Sequence, residues 1–263
     1  MSDNNITNNI FELNGVSYAY PQSETILNGL SLEIKAGERL SILGANGCGK
    51  STLLKILAGL IFTQSGTFTA FGNKIEHKSF LGKASTEYHR KVGYIFQDSD
   101  AQLFCSTVYE ELAFGPLQLG IPKDTVKTRI EELSAMLGVE RLLDKPPFRL
   151  SGGEKKKIAI GSVLILNPDV LILDEPTNSL DPRSQAWLLR LLKSLSETGK
   201  TLIFATHNLD LVPQVSDRAI LFSEEHEIAA DMPVKELLHD AALLKRVNLV
   251  DERYHTHPWD FDQ

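Results

Sequence analysis

The sequence predicts an α/β fold. A parallel sheet carries helices on both faces, with an antiparallel β subdomain at its N-terminal end and a helical insertion. Three observations predict it. A glycine-rich stretch, Gly44-Ala45-Asn46-Gly47-Cys48-Gly49-Lys50-Ser51-Thr52, stands between an apolar run, Leu40–Leu43, and a helical run, Ser51–Leu57. Short apolar runs that end on polar residues recur downstream, at Val92–Phe96, Val170–Leu173 and Thr201–Ala205, as strands covered on both faces require. Alternating runs, the mark of half-buried antiparallel strands, cluster ahead of Lys50.

Taken in order, Met1–Asn9 is polar and expected to fray. Phe11–Leu13 and Val16–Tyr20 alternate like strand, and Pro21 closes the run. Leu30–Ile34 alternates too, and Gly66–Gly72 reads as another short strand. After Val92–Phe96 the character changes. Thr107-Val108-Tyr109-Glu110 is a capping box that starts a helix, which Gly115-Pro116 is expected to stop. Pro122-Lys123-Asp124 opens a longer helical pattern through Val126, Ile130, Leu133 and Leu137, ended by Gly138. Asp181-Pro182 pairs an N-cap with proline at the first helical position, and Gly199 stops that helix. The domain expected from this reading spans 10–240, with a helical subdomain at about 98–150 and a tail at 241–263.

The glycine-rich stretch fits G-x-x-x-x-G-K-[ST] without a mismatch, in the strand–loop–helix setting that the motif needs. Glycines let the backbone curl so that N–H groups point at phosphate oxygens, and the helix N-terminus adds partial positive charge beneath them. Lys50 is placed to reach the β- and γ-phosphates and the Ser51 hydroxyl to hold Mg²⁺. Cys48 reads as a small filler whose alkylation blocks nucleotide access by bulk. In a parallel sheet, ligands sit at the carboxyl ends of the strands, where Gln97, Asp174, Glu175 and His207 all stand. Asp174 is a Mg²⁺ ligand through water, and Glu175 is the general base for the attacking water. His207, alone more often a structural residue, becomes in this company a γ-phosphate sensor; Gln97, otherwise a plain strand cap, becomes a contact to Mg²⁺ and water. Ser151-Gly152-Gly153-Glu154 is a second capping box. Read bare, it only starts a helix; read with its glycines, it is a second phosphate-binding N-terminus. One chain cannot easily put two such cradles on one γ-phosphate, but two chains paired head to tail can.

Composition narrows the class. A net charge of -7 with no long basic block argues against a nucleic-acid partner. No apolar run reaches membrane-spanning length, and the densest, Ile158–Leu173, is broken by Asn167, Pro168 and Asp169. Two distant cysteines, Cys48 and Cys105, suit a reducing cytosol better than a disulfide scaffold. His255 and His257 lack further ligands at useful spacing and read as tail.

Six pieces in this order resemble the nucleotide-binding subunit of ABC transporters: Gly44–Thr52, Gln97, Leu150–Glu154, Leu171–Glu175, Ser179–Asp181 and His207. The resemblance runs from about Phe11 to Leu238 and implies a P-loop NTPase with a RecA-like parallel sheet, ATP and Mg²⁺ as cofactors, and ATP hydrolysis in a dimer of cassettes, homo- or heteromeric. In that family Ser151 and Gly153 contact the γ-phosphate held by the partner, and an aromatic stacks on adenine where Tyr20 falls, with Tyr18 the competing choice. Gln97–Phe104, Glu111–Gly120 and Gly153–Ile160 are similar to energy-coupling-factor ATPases, most of all those of cobalt and nickel importers, with a vitamin importer as the alternative. That implies integral membrane subunits contacted by about 97–120, and a peripheral place on the cytoplasmic face of the membrane. Soluble relatives in DNA repair carry a long coiled coil, and those in translation carry two cassettes; neither feature is in this sequence. A nucleotide kinase has no use for Leu150–Glu154. Two departures stand out. Glu154 replaces the commoner glutamine and can close the capping box equally well. The turns at 223–227 and 230–233 lack their usual glycines, which puts the C-terminal hairpin in doubt.

Overall fold

The computed structural model describes residues 8–250. Two sheets lie against each other. The first is antiparallel: β1 (Asn9–Ala19), β2 (Thr25–Lys35), β4 (Ser65–Ala70) and β5 (Asn73–Lys74) pair in the order β2-β1-β4-β5. The second comprises β3 (Arg39–Leu43), β6 (Val92–Ile95), β7 (Val170–Asp174), β8 (Thr201–Ala205), β9 (Arg218–Phe222) and β10 (Ile228–Pro233), in the order β10-β9-β3-β8-β7-β6. All its pairings are parallel except the β9–β10 edge hairpin. The phosphate-loop strand β3 is thus central, and the carboxyl ends of β3, β6, β7 and β8 share one rim.

The alternation along β7 explains the layers. Val170 and Ile172 face a core built with α1 (Lys50–Leu57) and the antiparallel sheet, including Phe11, Leu53 and Leu54. Leu171 and Leu173 face a second core with Leu112, Ile130, Ile158 and Leu188 from the helices behind. Those helices are α3 (Val108–Gln118), α4 (Lys123–Leu137), α5 (Gly152–Leu164) and α6 (Pro182–Glu197). Each side chain so buried contributes about 1.5–3 kcal/mol, which is why such short strands hold. A third cluster joins Leu43, Ala219 and Leu221 to α7 (Val212–Val215), α8 (Val234–His239) and α9 (Ala241–Arg246).

The caps form as the sequence predicts. Thr107 and Glu110 close a capping box on α3, Asp181 accepts from the Arg183 and Ser184 amides at 2.9 and 3.1 Å, and Gly138 ends α4 in the left-handed region. One expectation fails: Pro116 does not stop α3, which continues to Gln118. Proline forfeits a backbone bond, but Pro116 is buried on the packed face together with Leu112 and Ala113, and a Cβ on Gly115 would meet Leu166 at 3.5 Å. Packing outweighs the break, and the chain turns at Gly120 instead. Another helix, α2 (Lys83–Lys91), has no apolar stripe to betray it: only Tyr88 is buried, its hydroxyl bonded to the Leu57 carbonyl.

The hairpin between β9 and β10 forms without glycine. His226 takes the left-handed conformation at φ 66°, and the Ser223 amide reaches the Glu227 carbonyl at 2.9 Å. Asn28 holds the turn from β2 through its amide to the His226 carbonyl and its side chain to Glu227, at 3.2 and 2.7 Å. His226 Nδ1 donates to the Cys48 carbonyl at 3.2 Å, and Asn248 donates to Glu224 at 2.6 Å. His255 and His257 lie outside the described residues, and no cluster of metal-ligating side chains occurs among the described ones.

Candidate active site

The phosphate loop leaves β3 at Gly44 and enters α1 at Lys50. Its glycines are demanded by space as much as by conformation. A Cβ on Gly49, at φ 112°, would meet the Ile26 carbonyl at 2.6 Å; one on Gly44 would meet the Cys48 sulfur at 2.6 Å. Lys50 is buried and curls back over the loop, Nζ donating to the Gly44 and Ala45 carbonyls at 2.8 and 3.0 Å. The cation therefore stands in the hollow of the loop, over a helix N-terminus, in the arrangement that receives phosphate. Around it lies a cleft of about 430 Å³, lined by Tyr20, Ile26, Asn46, Gly47, Gly49, Lys50, Ser51, Thr52, Gln97, Glu175, Asn178 and His207.

Two carboxylates stand at the end of β7. Asp174 Oδ2 accepts from the Tyr94 hydroxyl at 3.1 Å; burial and the Asp174 charge push the Tyr94 pKa well up, so the phenol stays a donor. Asp174 Oδ1 is buried and has no partner. Glu175 takes φ 43°, a conformation that costs a non-glycine residue about 1–3 kcal/mol and here turns the side chain into the cleft. Its Oε1 accepts from His207 Nδ1 at 2.8 Å, while Oε2 is buried and unpartnered. A buried carboxylate oxygen without a donor is expensive. Glu175 lines the cleft with Ser51 and Lys50, while Asp174, one residue earlier at the end of β7, does not line it; two unpartnered carboxylate oxygens at this strand end and a hydroxyl in the cleft are hard oxygen donors of the kind that fit Mg²⁺ and a water.

Thr52 Oγ1 donates to the Tyr20 hydroxyl at 3.4 Å, and Tyr20 lines the cleft; Tyr18 packs edge-on behind it at 5.1 Å. Gln97 lines the cleft from the end of β6. Ser151, Gly152, Gly153 and Glu154 do not line it. They form the start of α5, where the Ser151 amide and hydroxyl each donate to Glu154 Oε2 at 2.9 Å. The Ser151 amide holds the Glu154 carboxyl below its ordinary pKa, so glutamate closes the box as an anion. Gly152 borders a neighbouring cleft of about 610 Å³ that shares only Gln97, Asn178 and His207 with the first.

Cys48 corrects one expectation. The residue is 3% exposed, its thiol is pushed up in pKa by burial, it packs among the core residues, and it does not line the cleft. Iodoacetamide at neutral pH is accordingly expected to leave Cys48 unmodified in the folded protein, and ATPase activity unchanged; peptide mass mapping before and after unfolding checks this. Ile26, Asn178 and Tyr94 were not foreseen. Asn178 lies three residues past Glu175, a spacing that could have flagged it; Ile26 and Tyr94 are ordinary strand residues with no signal of their own.

A phosphate loop and a glutamate bonded to histidine in one cleft, with an acidic strand end leading into that glutamate, define a P-loop nucleoside triphosphatase. Within that class the chain belongs to the ABC transporter family, whose model matches residues 27–178, and it is an ABC-type ATPase. It is 46% identical over 244 residues to the nickel import ATP-binding protein NikO of Rhodobacter capsulatus, covering 91% of this chain and 95% of that protein. It is 38% identical over 240 residues to the energy-coupling factor transporter ATP-binding protein EcfA of Methanocaldococcus jannaschii, covering 91% and 85%. Among solved structures, CbiO1 of Clostridium perfringens, part of the ABC transporter complex CbiONQ, superposes with a TM-score of 0.78 at 35% identity, covering 92% of this chain and 95% of that one. A cassette solved as a dimer in a post-hydrolysis state with ADP and phosphate gives 0.75 at 27% identity, covering 85% and 98%.

Proposed function

We propose that the chain is the ATP-hydrolysing subunit of a membrane importer for cobalt or nickel ion, working as one of two cassettes beside integral membrane subunits. The observation that carries the two-cassette reading is the separation of the cradles: Lys50, Glu175 and His207 share a cleft that Ser151–Glu154 does not line, Gly152 bordering the neighbouring one instead. A second chain, identical or not, would supply its own Ser151 and Gly153 to the γ-phosphate. Nucleotide binds at Gly44–Thr52 with Tyr20 against the adenine, and Ser51, Asp174 and Gln97 would hold Mg²⁺, which neutralises charge on the β- and γ-phosphates. Glu175 takes the proton of the attacking water, and His207 fixes the Glu175 carboxylate through Oε1 so that Oε2 faces that water. Lys50 balances the charge that develops on the γ-phosphoryl oxygens.

The metal cargo is supported by the similarity to a nickel import protein; the likeness to energy-coupling factor transporter proteins names no cargo, and a vitamin importer stays the second reading. No helix among the described residues is long and apolar enough to cross a membrane; the peripheral place on its cytoplasmic face is supported by the similarity to ATP-binding proteins of transporters. Residues 97–120 carry exposed Phe104 and Phe114 in edge-on contact at 4.9 Å, an apolar patch suited to the membrane partner. The assay is uptake of labelled nickel, cobalt and vitamins by cells with and without this subunit. Loss of metal uptake alone is expected; loss of vitamin uptake with metal uptake intact overturns the cargo assignment.

A further inference from the structure

The segment after β6 is strapped to α5. Lys156, 3% exposed, donates Nζ to the Phe96 carbonyl at 3.2 Å and to the Gln97 carbonyl at 3.0 Å. Gln102 reaches the same helix: its Nε2 donates to the Ala159 carbonyl at 2.7 Å while its Oε1 accepts from the Phe96 amide at 3.1 Å. Neither the capping box nor the packing of α5 requires a cation at position 156, where the following residues, Ile158 to Ile160, are apolar core. Burying an ammonium is costly unless it is well paired. Lys156 lies on the first turns of the helix whose start is Ser151–Glu154, and it touches the backbone that carries Gln97 into the cleft.

We propose that Lys156 is a positioning residue that couples the two nucleotide sites of a cassette pair, holding Gln97 of its own cleft from the helix offered to the partner's nucleotide. The inference rests on the two-cassette reading. When the start of α5 docks on a partner's phosphate, the helix moves as a rod, and the two carbonyls bonded to Lys156 move with it. Gln97 is thereby placed only when the opposite site is filled, which makes hydrolysis cooperative in ATP.

The test uses the full chain in its dimer-forming state and compares wild type with Lys156→Met, which keeps the side-chain length and removes the donor. Wild type is expected to hydrolyse ATP with a Hill coefficient above about 1.5; the variant is expected to fall to about 1, with kcat lowered about tenfold. Binding of a fluorescent ATP analogue to dilute monomer is expected to stay within about twofold, a split that a general loss of structure does not produce. Should Lys156→Met fail to fold, Lys156→Gln retains a neutral donor and is expected to show intermediate cooperativity. Cooperative turnover at full rate in either folded variant overturns the coupling role alone. Non-cooperative hydrolysis by wild-type monomer overturns the pairing, and this inference with it.

Discussion

Glu175→Gln is expected to lower ATP turnover by roughly a hundred- to ten-thousandfold while leaving ATP affinity within a few-fold. The substitution is almost isosteric. It preserves the φ 43° backbone, because the strain belongs to the position and not to the charge, and the remaining amide oxygen can still accept from His207 Nδ1 at 2.8 Å. What disappears is the basic oxygen at Oε2, the one with no protein partner. Binding continues, hydrolysis stops, and the bound triphosphate keeps bridging two chains. Size-exclusion chromatography with ATP is then expected to show a stable dimer that wild type forms only transiently. Near-normal phosphate release by the variant would remove Glu175 from the chemistry.

Lys50→Ala is expected to weaken ATP binding by about a hundredfold and to abolish hydrolysis, with little change in thermal stability. Bonds from an ammonium to phosphate contribute about 1.5–3 kcal/mol each, and two decades of affinity correspond to about 2.8 kcal/mol. The fold does not depend on this side chain. Its two hydrogen bonds go to the Gly44 and Ala45 carbonyls of the same loop, where water can take its place. Titration with a fluorescent nucleotide and a melting curve together check the claim. Unchanged affinity would mean that the loop is not the phosphate site; a large fall in melting temperature would mean that Lys50 is a structural cation. Lys50→Arg is not expected to rescue, since a planar guanidinium fork cannot enter the hollow that a compact ammonium fills.

Much of this was legible in the sequence because it is local. The phosphate loop is a contiguous string, each cap spans four residues, and the buried strands announce themselves as unbroken apolar runs ending at Gln97, Asp174 and His207. What escaped depends on partners far along the chain. Pro116 continues a helix because α3 is packed, which its own neighbours do not reveal. Polar α2 is anchored by one tyrosine hydroxyl to Leu57. Cys48 turns inward into space that opens only because Gly44, distant in neither chain nor fold, lacks a Cβ; one there would meet the Cys48 sulfur at 2.6 Å and Phe222 of β9 at 3.0 Å. Lys156 reads on paper as one of three consecutive surface lysines; only its burial under the Gln97 segment sets it apart from Lys155.

The glycine-free hairpin between β9 and β10 has a practical corollary for anyone handling the protein. Asn248 grips Glu224, and two residues later in that turn His226 grips the carbonyl of Cys48, so the stretch just after α9 is two side chains away from the floor of the phosphate loop. Trimming the polypeptide ahead of Asn248 would slacken a wall of the ATP cleft without altering any residue that lines it. An affinity handle fused there could blunt catalysis for the same reason.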